Sequence, residues 1–122
     1  MSANANANTN ANATTMSTTT TTFPNVTLTT QANVYFDGKC ISHRFSLADG
    51  TEKSVGVVLP STLTFNTGAA EVMECVAGAC EYKLKDSTVW AASVAGHRFH
   101  VAANSSFDIR VIEPYHYICH FA

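Results

Sequence analysis

The sequence predicts a single all-β domain, an antiparallel barrel or sandwich built from short strands. Two patterns carry that expectation. From Val34 onward, apolar residues recur at every second position in short runs, the period of a strand with one face buried. Turn-forming residues punctuate the runs, and no segment holds a helical period of useful length. Many short strands at regular spacing belong to small barrels and sandwiches.

Each strand rests on its own residues. Val55-Gly56-Val57-Val58-Leu59 is an apolar run stopped by Pro60-Ser61, and Leu63-x-Phe65 alternates until Thr67-Gly68. Val72–Val76 follows. Cys80-x-Tyr82-x-Leu84 ends at Lys85-Asp86-Ser87, and Val89–Ala92 runs toward Gly96. Phe99-x-Val101 precedes the turn Ala103-Asn104-Ser105-Ser106, after which Phe107-x-Ile109-x-Val111 and Tyr115–Phe121 complete the series. Asp37-Gly38 and Asp49-Gly50 mark turns upstream. Glu74, Glu81, Lys83, Arg98, Asp108 and Arg110 alternate with apolar neighbours and define an outer face.

Composition sets the domain boundary. All seven Lys and Arg and all nine Asp and Glu of the 122-residue chain lie between Asp37 and Glu113. Ahead of them, Asn-Ala alternation runs into Thr18–Thr22 with almost nothing apolar to bury, so ordering it would cost entropy without return. Residues 1–30 are therefore expected to form a disordered tail and residues 31–122 the domain. Phe23-Pro24 and Val26-x-Leu28 are the parts of the tail able to dock on it. No basic region followed by an apolar one begins the chain, the tail has no Arg, and no apolar run approaches the ~20 residues of a membrane span. The expected location is the cytoplasm. Cys40, Cys75, Cys80 and Cys119 show no C-x-x-C spacing and are expected as buried free thiols. A net charge of −2 with no basic stripe argues against a nucleic-acid partner and favours a small neutral or singly anionic ligand. A domain this small gains burial by pairing with a copy of itself, so a homodimer is expected.

A sharper pattern runs from Gly56 through Thr62, Thr64 and Glu71 to Gly78. It resembles the first metal motif of cupins, in which a Gly leads to His-x-His and then to a Glu ahead of a second Gly. Thr62 and Thr64 stand at the His positions. Two residues apart on a strand point the same way, so both are expected to line a common cavity with hydroxyls. In the second cupin motif, Val94-Ala95-Gly96 fills the turn, Phe99 replaces the His and Ala103 the Asn. Of the four expected ligands only Glu71 survives. The resemblance implies a cupin-type antiparallel β-barrel, the double-stranded β-helix or jelly roll, without a metal.

The runs Asn33-x-Tyr35-Phe36-x-Gly38-Lys39-x-x-Ser42, Gly56-Val57, Thr64-Phe65-x-Thr67, Glu71-x-Met73-Glu74 and Gly78 narrow the match. So do Trp90, Ala95-Gly96-x-x-Phe99-x-Val101, Ser105-x-Phe107 and Tyr117-x-Cys119. Together, in order and across the whole domain, they resemble the pyrimidine/purine nucleoside phosphorylase family of small cupins. The resemblance implies phosphorolysis of purine and pyrimidine nucleosides to free base and α-D-ribose 1-phosphate, with broad base specificity. It also implies a homodimer with no cofactor, taking inorganic phosphate as co-substrate. Two positions depart from it. Thr62 stands where the family often has an acidic residue, which bears on substrate preference. Ala102 replaces a Pro before the Asn-Ser turn, which bears on turn rigidity.

The chemistry can then be assigned by residue type. Phosphate is already a nucleophile, so positioning and electrostatics supply most of the effect. Glu71 is the candidate for stabilising an oxocarbenium-like centre, as carboxylates do in glycosidases; the alternative is a carboxylate hydrogen-bonded for structure. Lys39 is the candidate for neutralising phosphate, or else a solvated surface lysine. Ser42, Thr64, Thr67 and Ser105 offer hydroxyls to phosphate or ribose, or cap turns. Tyr35, Phe36, Met73 and Phe99 offer surfaces for a base, or fill the core. The histidines make a poor metal set. His97 and His100 are an odd number apart, His116 and His120 lie ~13 Å apart at ~3.3 Å per residue, and His43 has no partner in sequence. Two rival readings stay open: a metal-free cupin that binds a sugar or nucleoside without reaction, and a metal-dependent cupin oxygenase or isomerase.

Overall fold

The two-residue apolar period resolves into two facing antiparallel sheets in the computed structural model, which describes residues 21–121. The strands are β1 (Thr27–Leu28), β2 (Asn33–Tyr35), β3 (Cys40–Ser46), β4 (Glu52–Val58), β5 (Ser61–Asn66) and β6 (Glu71–Ala77). They continue with β7 (Ala79–Leu84), β8 (Ala91–Val94), β9 (Arg98–Val101), β10 (Ser106–Val111) and β11 (Tyr115–Phe121). The first sheet runs β1-β3-β4-β11-β6-β9 with β2 added on β3; the second runs β5-β10-β7-β8. This is the expected all-β, cupin-type jelly roll.

The core lies between the sheets. Met73, Cys75, Phe99, Tyr115, Tyr117 and Cys119 from the first sheet meet Cys80, Phe107, Ile109 and Val111 from the second. All four cysteines are buried and free, as expected. The charged residues read as an outer face are there: Arg98 pairs with Glu74 at 2.9 Å, Arg110 with Glu81 at 2.7 Å and Lys83 with Asp108 at 3.9 Å. Trp90 lies on that same outer surface, with the Arg110 guanidinium 4.0 Å and the Lys83 ammonium 5.2 Å from its ring centroid.

Three features differ from the sequence expectation. Strand β3 was not foreseen, because its pattern is inverted. Past Cys40, its inward positions are Ser42 and Arg44, while Ile41 and Phe45 face outward. Phe45 is nevertheless buried, since Phe23 packs on it at 5.0 Å between ring centroids. The second difference concerns the tail. Residues 1–20 lie outside the described residues; within 21–30 the segments expected to be able to dock do so, Phe23 on Phe45 and Thr27 and Leu28 paired to Ser46 and Phe45, so this part is laid along the domain. The third is the register of β5. Leu63 and Phe65 pack against the core, so Thr62 and Thr64 point to the other face. The expectation that both threonines line a common cavity is therefore corrected: Thr62 does not, and Thr64 borders it only from the edge strand with its hydroxyl turned to Asp108. Alternation gives the inner face to one parity, and burial of two large apolar side chains decides which.

Gly78 joins β6 to β7 at φ +77°, and a Cβ on it would collide with the Pro114 carbonyl oxygen. Both terms exclude any other residue at a point where two inter-strand connections touch. Gly78→Ala is expected to lose more than about 1 kcal/mol of unfolding free energy in a urea titration. A loss below about 0.5 kcal/mol, the scale of an ordinary surface change, would show that the connection yields cheaply.

Candidate active site

A cavity of about 680 Å³ opens between the sheets, and its walls differ in chemistry. Ser42, Arg44 and Ser54 form a polar wall on the inner face of β3 and β4, with Arg44 directly opposite Ser54 in the ladder. Glu71 and Met73 of β6 form the opposite side, facing Phe121 and Cys119 of the neighbouring β11. An aromatic wall is made by Phe36, Phe65 and Phe107, with Phe36 edge-on to Phe65 at 5.2 Å and Phe65 stacked on Phe107 at 5.4 Å.

Gly56 shapes the floor. A Cβ there would meet the Tyr117 hydroxyl and the Ile41 carbonyl oxygen, each at 2.7 Å. With no side chain on β4, the Tyr117 ring lies across the strand and its hydroxyl reaches the Cys40 thiol at 3.6 Å. The rim is under backbone strain. Phe36 and Asp37 sit at φ +53° and +54°, followed by Gly38 at +90°. The left-handed region is unusual for a bulky aromatic residue and costs of order 1–3 kcal/mol.

Desolvation dominates the electrostatics. Burial raises the Glu71 carboxyl above its ordinary value, and a hydrogen bond from the Cys119 thiol recovers part of the shift. None of the ion pairs among the described residues involves Glu71. Cys119 is pushed up to about 12, first by burial and then by the nearby Glu71, so its thiol is neutral and a weak nucleophile. Arg44 stands at the mouth, with Nη1 2.6 Å from Glu52 and its guanidinium 4.8 Å from the centroid of Phe121.

Of the residues expected from sequence, Tyr35, Phe36, Ser42, Thr64, Glu71 and Met73 border this one cavity. Thr64 does so with its hydroxyl committed to Asp108 at 2.7 Å. Four others lie elsewhere. Lys39 is exposed outside the cavity: it closes the tight turn Phe36–Gly38 in a helical conformation, its amide donating to the Phe36 carbonyl, just before β3 begins. Thr67 is buried; its hydroxyl donates to the Ala102 carbonyl at 2.6 Å and accepts from the Ser105 amide at 2.9 Å. Thr67 and Ser105 thus tie the end of β5 to the loop before β10. Phe99 is core, stacked on Tyr82 at 3.8 Å. Sequence reasoning missed Arg44 and Ser54, although Arg44 has the same parity as Ser42 on β3.

Among the described residues no group of three or more His, Cys, Asp or Glu side chains comes together to hold a metal ion. Two of the histidines are engaged elsewhere. His120 donates from Nε2 to Glu74 at 2.8 Å and accepts from Lys53 at 2.7 Å, and His43 donates to the Thr29 carbonyl at 3.2 Å.

Comparison with known proteins gives a consistent result. The family model for pyrimidine/purine nucleoside phosphorylase matches residues 30–121. A pyrimidine/purine nucleoside phosphorylase of Delftia acidovorans is 73% identical over 97 residues, covering 80% of this chain and 92% of that protein. One from Ralstonia pickettii is 69% identical over 100 residues, covering 82% and 95%. A crystal structure of an Acinetobacter protein of unknown function superposes with a TM-score of 0.81 at 44% identity, covering 83% of this chain and 98% of that one.

The Glu71 environment makes a signed prediction. A carboxyl whose pKa is raised on folding favours the native state below its unfolded value and disfavours it as pH rises through the folded one. Glu71→Gln should therefore melt at a higher temperature than the unsubstituted protein near pH 7. The gap should close below about pH 4, where an ordinary Glu is protonated. A melting-temperature series from pH 4 to 8 reads it directly; a constant gap would mean the carboxylate carries no desolvation cost.

Proposed function

The chain belongs to the pyrimidine/purine nucleoside phosphorylase family and is an enzyme of that type, and we propose that it cleaves purine and pyrimidine nucleosides with inorganic phosphate. The products are the free base and α-D-ribose 1-phosphate, and no further cofactor takes part. The observation that carries this reading is a single cavity that sets a carboxylate without a cationic partner, Glu71, among aromatic and polar walls.

In the reaction a phosphate oxygen forms a bond to C1′ as the C1′–N bond breaks. The bonding pair leaves with the base, which takes on that nitrogen the proton that hydrogen phosphate gives up on becoming the ester. Positive charge grows on C1′ and the ring oxygen. An ionised Glu71 beside that centre interacts more strongly in a desolvated cavity than it would in water. The base rests on the aromatic wall of Phe36 and Phe65 with Met73. Stacking tolerates any base because every base has a π-face, which supports broad specificity.

The enzyme works as a homodimer in this reading. A small domain has little interior, and Ile41, Val55, Val57 and Val76 stay partly exposed on the outer face of the first sheet, where a second copy would cover them. Light scattering at micromolar concentration should return twice the chain mass; a monomer would remove this part. The buried free thiols are in keeping with a reducing, cytoplasmic setting.

Incubation with uridine, adenosine or inosine, with and without phosphate, tests the activity. Base should be released only with phosphate, with α-D-ribose 1-phosphate as co-product. Equal release without phosphate would make the protein a hydrolase, and binding without release a nucleoside-binding module. Glu71→Gln should lower kcat about 10²–10³-fold, the range for losing one preorganised electrostatic partner, with KM nearly unchanged. Near-normal turnover would take Glu71 out of the mechanism.

A further inference from the structure

Phosphorolysis needs a place for a phosphate dianion, and Lys39 does not reach the cavity. Resting on the phosphorolysis reading, we propose that the phosphate is held by Arg44 together with the hydroxyls of Ser42 and Ser54. Arg44 is the one Lys or Arg among the described residues that lines the cavity. The other described arginines, Arg98 and Arg110, are paired on the outer face with Glu74 and Glu81.

The three side chains form a compact group. Ser42 and Arg44 are two apart on β3 and share its inner face, and Ser54 is the ladder partner of Arg44 on β4. Directly opposed residues in an antiparallel pair have Cβ atoms ~5 Å apart, a span that one phosphate bridges. Both serines are buried, at 4% and 7% exposure, so their hydroxyls are sheltered from bulk water. The guanidinium is restrained on two sides. Glu52 takes Nη1, and the Phe121 ring lies against the group. The remaining N–H donors are left for an anion, in the planar fork that suits phosphate oxygens.

The position also fits the reaction. Strand β11 alone separates β4 from β6 in the sheet; across it Ser54 is level with Cys119 and Met73, and Glu71 lies two residues further along beside Phe121. Two spacings of ~4.8 Å and two residues of ~3.3 Å put the backbone positions about 12 Å apart. The side chains converge on the Cys119 thiol, which hydrogen-bonds both Glu71 and Ser54, so a phosphate at Ser54 lies close to the carboxylate. The developing charge at C1′ then sits between two anionic groups, while the base extends to the aromatic wall.

Arg44→Ala is expected to raise the phosphate KM about 10- to 100-fold, the worth of charge-assisted hydrogen bonds to an anion. The nucleoside KM should stay within about 2-fold. Arg44→Lys keeps the charge without the fork and should fall between the two, and Ser54→Ala should act in the same direction by less. A folded Arg44→Ala protein with the original phosphate KM would overturn the assignment. If Arg44→Ala does not fold, Arg44→Lys and Ser54→Ala decide, and an unchanged phosphate KM in both would overturn it equally. Thermal shift with inorganic phosphate alone separates the two levels of inference. Stabilisation of the unsubstituted protein that Arg44→Lys weakens upholds the cradle even if no nucleoside is cleaved. No stabilisation at any phosphate concentration rejects the cradle.

Discussion

The close approach of Tyr117 to Gly56 organises the site. Strand β11 lies between β4 and β6 at the centre of the larger sheet, and its inward residues separate the polar wall from the carboxylate wall. Tyr117 can fold across β4 only because position 56 has no side chain. The buried ring closes the cavity floor with a phenol that burial holds neutral, its pKa raised well above the ordinary value. A larger residue at 56 would push the ring off the strand. One missing Cβ therefore sets the shape of the cavity floor.

Much of the fold was legible because its apolar residues keep a strict period wherever a strand has one dry face. Strands β5 to β7 and β9 to β11 follow directly from that rule. Strand β3 escaped it for a functional reason: its inner face lines a cavity instead of the core, so Ser42 and Arg44 stand where apolar residues would otherwise be. The site was legible in part. Glu71, Ser42 and Phe36 were found because they fall in runs shared with a family. Lys39 falls inside those runs and Arg44 does not, whereas strand parity counted from Ser42 selects Arg44. Thr62 was placed by analogy with a metal motif, and the core demand of Leu63 and Phe65 reversed its face. Pattern identified the strands; only packing could decide which parity faces inward.

The placement of charge separates stability from function. The outer ion pairs are solvent-screened and contribute at most about 1 kcal/mol each. Glu71 runs the other way: its desolvated carboxyl has a raised pKa and works against the folded state at neutral pH. A residue that opposes folding in the middle of a cavity is the expected mark of an active site, where stability is given up for chemistry. The cysteines show the contrast. Cys75, Cys80 and Cys119 are raised to between about 11 and 12 mainly by burial, so they behave as small apolar fillers with no thiolate chemistry near neutral pH.

Core and cavity are joined by a continuous line of rings. Tyr82 stacks on Phe99, Phe99 meets Phe107 at 5.5 Å, and Phe107 leads through Phe65 at 5.4 Å to Phe36 at 5.2 Å on the rim. Each contact is of the kind worth ~0.5–1.5 kcal/mol beyond area burial. The line explains why Phe99 carries the sequence signature of a site residue while standing outside the cavity. Together with Phe107 it backs the aromatic wall of the cavity, three rings behind Phe36. It also accounts for a Phe held at φ +53° at the cavity mouth. The strain at Phe36 is offset by its contact with Phe65, which is itself fixed by the core. A stacking surface anchored this way is set before substrate arrives, and little ordering cost remains for binding to meet.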